Sequence, residues 1–242
     1  MKYDYLLKKC DLCRRHCGVN RLNGELGICT ANDNLIVARA ELHLWEEPPI
    51  SCENGSGTVF FSHCNLKCVF CQNHEISQEY KGAEITINRL SDIFLELQNK
   101  GANNINLVTP THYVPQIIEA IEIAKYKGLK LPILYNTNGY DTLETIKLLD
   151  GYIDVYLPDF KYFDDKYSIK YSKAKDYSSE IIPILKEMVR QTGKPSFDDK
   201  GRILKGVIIR HLMLPGLLFD SKKVIDKIYS AFGDDVYISI MN

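Results

Sequence analysis

Three cysteines fall within eight consecutive positions of the segment FFSHCNLKCVFCQNHE, residues 60–75. They are Cys64, Cys68 and Cys71. Thiolates at such spacing are ligands of iron–sulfur clusters and of zinc. A four-iron cluster held by three thiolates leaves one iron free to bind a small molecule, so this set predicts a catalytic centre. A zinc site that takes His63 or His74 as its fourth ligand is the alternative.

A second set of cysteines lies near the start of the chain. Its members are Cys10, Cys13, Cys17 and Cys29. Four thiolates complete a tetrahedral zinc shell and equally well ligate a second 4Fe-4S cluster, so the sequence leaves both metals open. Arg14, Arg15 and Arg21 lie beside them and predict a solvated basic face, with the steering of an acidic electron donor as the alternative. Cys52 is expected to be an inert small side chain.

The composition is that of an ordinary soluble globular protein. Of 242 residues, 45% are hydrophobic and 25% charged, and the formal net charge of -1 gives no overall reason to expect nucleic acid or an anionic membrane as partner. No apolar run approaches the roughly 18 residues of a membrane span. Lysines and tyrosines alternate in residues 161–177, but the aspartates among them favour a solvated, partly helical insertion over an RNA-stacking surface. We expect a cytoplasmic protein with reduced cysteines.

From residue 57 onward, short β-branched or aromatic runs alternate with segments of helical period. This pattern predicts consecutive βα units in an α/β fold. The predicted strands are 57–62, 104–109, 131–136, 152–157, 206–211 and 235–240. Helices are expected between them, including 178–192, 221–232 and one that a capping box of Asp141 and Glu144 opens. A partly closed barrel and an open doubly wound sheet both place ligands at the carboxyl ends of the strands.

The alternation divides the chain into two parts. Residues 1–50 form a small cysteine-rich N-terminal module with an expected hairpin around residues 34–45, and residues 51–242 form the α/β core. The last predicted strand is not followed by a helix. This ending predicts either a natural short form or a core that is incomplete at its C-terminus.

The spacing CxxxCxxC after a first strand, with Phe70 before the last cysteine, resembles the signature of the radical S-adenosylmethionine superfamily. CDLCRRHCGVNR, EEPPIS and CNLKCVFCQN further resemble a group similar to the pyruvate formate-lyase activating enzymes. The resemblance implies a partial (βα)6 TIM-like barrel and an oxidoreductase with a 4Fe-4S cluster on the three loop cysteines. It also implies that the reduced cluster cleaves S-adenosylmethionine to a 5′-deoxyadenosyl radical, which takes hydrogen from a substrate, and that a flavodoxin or ferredoxin supplies the electron.

The resemblance also points to the strand ends as the binding site for S-adenosylmethionine. The side chains it implies there are Phe70, Thr111, His112, Asn138, Asp159, Lys161 and Arg210. Lys161 would pair with the carboxylate of S-adenosylmethionine and Asp159 would be a polar anchor. The segment TPTHY departs from the superfamily's glycine-glycine-glutamate, and Asn136 replaces the aspartate of the activating enzymes.

Three functions are compatible with these features. The first is activation of a glycyl radical enzyme or another substrate protein. The second keeps the radical chemistry but directs it at RNA or a small molecule. The third is a metal-binding or electron-transfer protein without turnover of its own.

Overall fold

The computed structural model describes residues 2–242 and is built around one sheet, which has nine strands in this range. The strands are β1 Leu35–His43, β2 Ser56–Phe61, β3 Ala83–Ile85, β4 Ile105–Val108, β5 Ile133–Thr137, β6 Val155–Pro158, β7 Ser196–Phe197, β8 Ile203–Leu212 and β9 Tyr237–Met241. Their order is β3-β1-β2-β4-β5-β6-β8-β7, and β9 pairs with β8. The strands β2, β4, β5, β6, β8 and β9 are parallel, as predicted. The sheet is an open, partial barrel.

Helices connect the parallel strands. In residues 2–242 they are α1 Tyr5–Lys8, α2 Pro48–Ser51, α3 His74–Ser77, α4 Ile87–Asn99, α5 Val114–Tyr126, α6 Leu143–Leu148, α7 Asp165–Ser172, α8 Tyr177–Thr192 and α9 Leu218–Phe232. In α4, the Thr86 hydroxyl accepts the Arg89 N–H at 3.1 Å and caps the helix, and apolar side chains at helical spacing face the core. None of the helices in this range combines the length and the apolar character that a membrane crossing requires.

Two local predictions were wrong. The expected hairpin around residues 34–45 is a single strand, β1, which pairs antiparallel with β2 on one side and β3 on the other. LIVARAELH contains no glycine, proline or asparagine to form a tight turn, so the strand continues for nine residues. The helix α6 is capped by Thr142, whose hydroxyl accepts the Thr145 N–H, and not by Asp141, which is fully buried.

The sheet has an inner face that is concave in the barrel and an outer face covered by helices. Leu134, Val155, Leu157 and Ile208 alternate along their strands with residues that pack against the helices, and they form a separate apolar cluster. Ile50 of the short helix α2 belongs to this inner cluster. The Asn104 side chain donates to the Ile50 carbonyl at 2.9 Å. The segment EEPPIS therefore fills the inside of the barrel instead of merely ending the N-terminal module.

The three arginines beside the first cysteines do not form a solvated basic face; that prediction was wrong. Arg14 donates to the Gly139 and Tyr177 carbonyls and lies over the ring of Tyr140. Arg21 is fully buried and donates to the His112 carbonyl at 2.5 Å. The guanidinium groups thus fasten the cysteine-rich segment to the barrel.

Arg21→Met tests this fastening. We expect the free energy of unfolding to fall by about 3 kcal/mol, because the buried His112 carbonyl and the partly buried Asn32 carbonyl lose their donors. The control is Arg39→Met, since Arg39 forms an exposed pair with Glu41 that contributes less than about 1 kcal/mol. Denaturant unfolding under reducing conditions measures both. Equal losses in the two variants would contradict the structural role of Arg21.

Candidate active site

The three-cysteine loop leaves the carboxyl end of β2 and packs between α3 and α7. The Cys68 thiol lies 2.9 Å from the Ser172 hydroxyl, and the Cys71 thiol lies 3.3 Å from the Ser77 hydroxyl. The Cys64 thiol accepts hydrogen bonds from the Leu66 N–H at 3.4 Å and from the Asn138 amide at 3.5 Å. Hydrogen bonds to sulfur are among the features that set the reduction potential of a thiolate-bound cluster.

A buried group of charges lies at the carboxyl ends of β5, β6 and β8. The Lys161 ammonium is 2.6 Å from one Asp159 carboxylate oxygen, and the Arg210 guanidinium is 3.1 Å from the other. Arg210 also donates to the Asn136 amide oxygen at 2.6 Å. Asn136 thus occupies the position of the missing aspartate as an acceptor for Arg210. Asn136, Asp159 and Arg210 each lie two positions beyond a residue of the inner apolar cluster. They therefore continue the inner face of the sheet towards the carboxyl ends of the strands.

These charges stabilise one another away from water. Burial acts to raise the pKa of Asp159, but Lys161 and Arg210 hold it below its usual value. Burial acts to lower the pKa of Lys161, but Asp159 and the nearby Cys68 thiol raise it. Both ion-pair partners therefore stay charged beside the cysteine loop, where they can orient a bound zwitterion.

Two glutamates that sequence reasoning did not single out also face this group. The carboxylate oxygens of Glu46 and Glu47 lie 3.8 and 4.0 Å from the Arg210 guanidinium, and both side chains are about nine-tenths buried. Burial and the neighbouring Glu47 raise the pKa of Glu46 to about 7, although Arg210 opposes this shift. The signal in the sequence was a pair of acidic residues directly before the proline-led buried segment PPIS.

Glu46 predicts a pH dependence of stability. Its pKa rises from 4.5 in the unfolded chain to about 7 in the fold, so the folded state binds the extra proton between these values. The free energy of unfolding should therefore decrease by about 3 kcal/mol as pH rises from 4.5 to 7, with no further change above that range. Glu46→Gln should lack this decrease, and Glu53→Gln should retain it. The difference in unfolding free energy between variant and wild type across this pH range measures the effect; identical slopes would contradict it.

The side chains implied after the second parallel strand have other partners. Thr111 is buried and donates to Asp141, which also accepts the hydroxyls of Tyr135 and Thr137. His112 is buried, and its Nε2 donates to the Ser62 carbonyl at 2.7 Å. The Thr111 hydroxyl is therefore used in a hydrogen bond to Asp141.

Asn138 and Phe70 lie beside the three-cysteine loop. Asn138 donates to the Cys64 thiol and, at 2.6 Å, to the Asn65 amide oxygen. Phe70 is half-buried against the core. Cys52, in contrast, donates to the Pro48 carbonyl.

The first four cysteines line one enclosed cavity. Its wall includes Cys10, Cys13, Cys17, Cys29 and His112. All eight cysteines are free thiols. Burial raises the pKa of Cys13 to about 12 and raises that of Cys29, so thiolates here require an electropositive partner. Gly27 permits the close packing, because a Cβ there would be 2.8 Å from the Cys17 sulfur.

The donor chemistry of the three-cysteine loop fits an iron–sulfur cluster. A four-iron cluster bonds each thiolate to a different iron, so its ligands stand apart. Burial raises the pKa of the Cys64 thiol to about 12, and bound iron would supply the charge that stabilises its thiolate. The nearby Lys161 acts in the same direction.

Comparison with known proteins decides the family. The model of the Radical SAM superfamily matches residues 58–231, which include the three-cysteine loop and strands β4 to β8. The chain belongs to the Radical SAM superfamily. Members of this superfamily use a 4Fe-4S cluster and S-adenosylmethionine, and their radical chemistry begins with cleavage of S-adenosylmethionine.

One relative is similar to this chain in sequence, and two solved structures are similar to it in fold. The uncharacterized protein MJ0674 of Methanocaldococcus jannaschii is 30% identical over 98% of this chain, which spans 66% of its length. Streptococcus suis SuiB bound to the precursor peptide SuiA has a TM-score of 0.52 and 16% identity, with 74% of this chain and 37% of SuiB covered. The FeFe-hydrogenase maturase HydG from Carboxydothermus hydrogenoformans has a TM-score of 0.53 and 14% identity, with 74% and 42% covered.

Proposed function

We propose that this radical S-adenosylmethionine enzyme holds its catalytic 4Fe-4S cluster on Cys64, Cys68 and Cys71 and takes hydrogen from a protein substrate, as the activating enzymes of glycyl radical enzymes do. The observation that carries the proposal is the buried group of Asp159, Lys161 and Arg210 beside the three thiols. A reducible centre next to fixed cations meets the needs of a site that binds and cleaves an amino-acid sulfonium.

The chain's own residues bind and orient the cofactor in this proposal. Lys161 pairs with the carboxylate of S-adenosylmethionine, and Asp159 keeps Lys161 in place through the 2.6 Å ion pair. Arg210 fixes Asp159 from the other side, and Phe70 shields the loop from solvent. When bound and reduced, the cluster supplies the electron that cleaves the sulfonium of S-adenosylmethionine.

The choice of a protein substrate rests on the activase-like segments CGVNR, EEPPIS and CNLKCVFCQN. Among the structural relatives, SuiB was solved with a precursor peptide. Nucleic acid is disfavoured because two of the four tyrosines in residues 161–177, Tyr162 and Tyr177, are buried and not available to stack on bases. Modification of RNA or of a small molecule is the second candidate. The electron donor would be a flavodoxin or ferredoxin, and the eight free thiols support a cytoplasmic location.

The substrate class is tested by following hydrogen. The enzyme is incubated without oxygen with a reductant, S-adenosylmethionine and a glycyl radical enzyme whose glycines carry deuterium. We expect deuterium in 5′-deoxyadenosine and a glycyl radical in the electron paramagnetic resonance spectrum. The control is the same partner with its radical-site glycine replaced by alanine. Deuterium transfer only from labelled RNA or a labelled metabolite would overturn the protein substrate while leaving the radical chemistry intact.

A further inference from the structure

The cavity of the first four cysteines contains an unsatisfied acceptor as well as thiols. His112 donates from Nε2 to the Ser62 carbonyl, so its Nδ1 carries the free lone pair. This Nδ1 is buried and has no hydrogen-bond partner within residues 2–242. A buried acceptor without a partner indicates that the cavity is completed by a group that the protein itself does not supply.

The cavity adjoins the catalytic loop through Asn65. On one side, the Asn65 amide donates to the Tyr140 carbonyl at 3.4 Å, and the same carbonyl accepts the N–H of Arg14, the residue after Cys13. On the other side, Asn65 directly follows Cys64 in the three-cysteine loop. Its amide oxygen accepts a hydrogen bond from Asn138, which also donates to the Cys64 sulfur. Asn65 is fully buried, and its carbonyl accepts the Arg15 guanidinium at 2.8 Å. Asn65 therefore links the segments that carry the two sets of thiols.

The arrangement favours iron over zinc. The ligands of a structural zinc ion converge on one point at about 2.3 Å. The four thiols instead line the wall of one cavity. A structural zinc also has no need to adjoin the catalytic thiols, whereas electron transfer between two centres requires proximity.

We propose that Cys10, Cys13, Cys17 and Cys29 hold a second iron–sulfur cluster that passes electrons across Asn65 to the catalytic cluster. A low-potential one-electron donor protein reduces the second cluster by one electron. That electron then moves to the catalytic cluster, and the second cluster returns to its oxidised state, so no proton or group is transferred. The electron acceptor is the catalytic cluster on Cys64, Cys68 and Cys71, so the relay rests on the proposed function. The presence of a second cluster does not depend on it.

The metal is tested on full-length protein with Cys64→Ala, Cys68→Ala and Cys71→Ala, purified without oxygen. We expect about four irons and four sulfides per chain and the electron paramagnetic resonance signal of a reduced cluster. About one zinc and no iron, or no metal at all, would overturn the proposal. Cys52→Ala in the otherwise unchanged chain should carry about eight irons. Because the triple variant has no catalytic cluster, its iron content is independent of S-adenosylmethionine cleavage.

The relay is tested by changing the reductant. In the Cys17→Ala variant, we expect the rate of S-adenosylmethionine cleavage with reduced flavodoxin, divided by the rate with dithionite, to fall at least about tenfold below the wild-type ratio, because dithionite is a small reductant that reaches the catalytic cluster directly. Equal losses with both reductants would indicate a merely structural role and overturn the relay. In wild type, full reduction should also broaden the resonance signal beyond the sum of the single-cluster variants; a simple sum would contradict proximity.

Discussion

Cys64→Ala should abolish reductive cleavage of S-adenosylmethionine, with a loss of at least about 1,000-fold. The iron bonded to Cys64 would lack its thiolate, and a three-thiolate cluster has no spare protein ligand to replace it. The loop itself should persist, because its backbone is held by bonds from Lys67 and Val69 to Ser172 and Tyr171. Formation of 5′-deoxyadenosine by anaerobically reconstituted protein measures the loss.

The matched control for this variant is Cys52→Ala. Cys52 is half-buried, and its sulfur contacts only the Pro48 carbonyl among hydrogen-bond acceptors in residues 2–242. Its removal should leave the rate of cleavage within about twofold of wild type. Cleavage by Cys64→Ala at a tenth of the wild-type rate or more would contradict the assignment of Cys64 as a cluster ligand.

Lys161→Gln should weaken binding of S-adenosylmethionine by about 100-fold, since a buried charge-assisted hydrogen bond to its carboxylate is lost. The fold should tolerate the change, because Asp159 keeps its ion pair with Arg210 at 3.1 Å. Equilibrium dialysis of S-adenosylmethionine against cluster-loaded protein measures the affinity, and the iron content of the same sample shows that the cluster is retained.

Lys166→Gln is the control for the loss of a lysine charge. Lys166 pairs with Asp164 on the surface, with 63% of its side chain exposed, and such a pair contributes little. We expect unchanged affinity in this variant. An equal loss of affinity in both lysine variants would indicate a general effect of net charge, and unchanged affinity in Lys161→Gln would remove Lys161 from the binding site.

The sequence was sufficient for the positions of the six parallel strands along the chain and for the helices predicted between them. Their apolar runs and the glycines between them are local signals, as in α4, where Leu90, Phe94 and Leu97 repeat at helical spacing. The cysteine spacing led directly to the superfamily, because the three thiols lie on one loop. Features that depend on a few neighbouring residues were therefore predictable.

Contacts between distant segments were not predictable in this way. Nothing local shows that Glu46 reaches Arg210 across the barrel, or that Arg21 enters the core to bond the His112 carbonyl. Asp141 looked like a helix cap because Glu144 follows it, but tertiary contacts with three hydroxyls hold it inside. Glu46, Arg21 and Asp141 are thus held inside the protein by ion pairs or hydrogen bonds with residues that are distant in the sequence.

The most direct test of the central claim is the reduction of anaerobically reconstituted wild-type protein in the presence of S-adenosylmethionine. The products are quantified as 5′-deoxyadenosine and methionine by mass spectrometry. We predict equal amounts of the two, formed only with reductant and only by protein with the cluster on Cys64, Cys68 and Cys71. Fully cluster-loaded, reduced protein that binds S-adenosylmethionine and forms neither product would contradict the assignment of this chain as a radical enzyme.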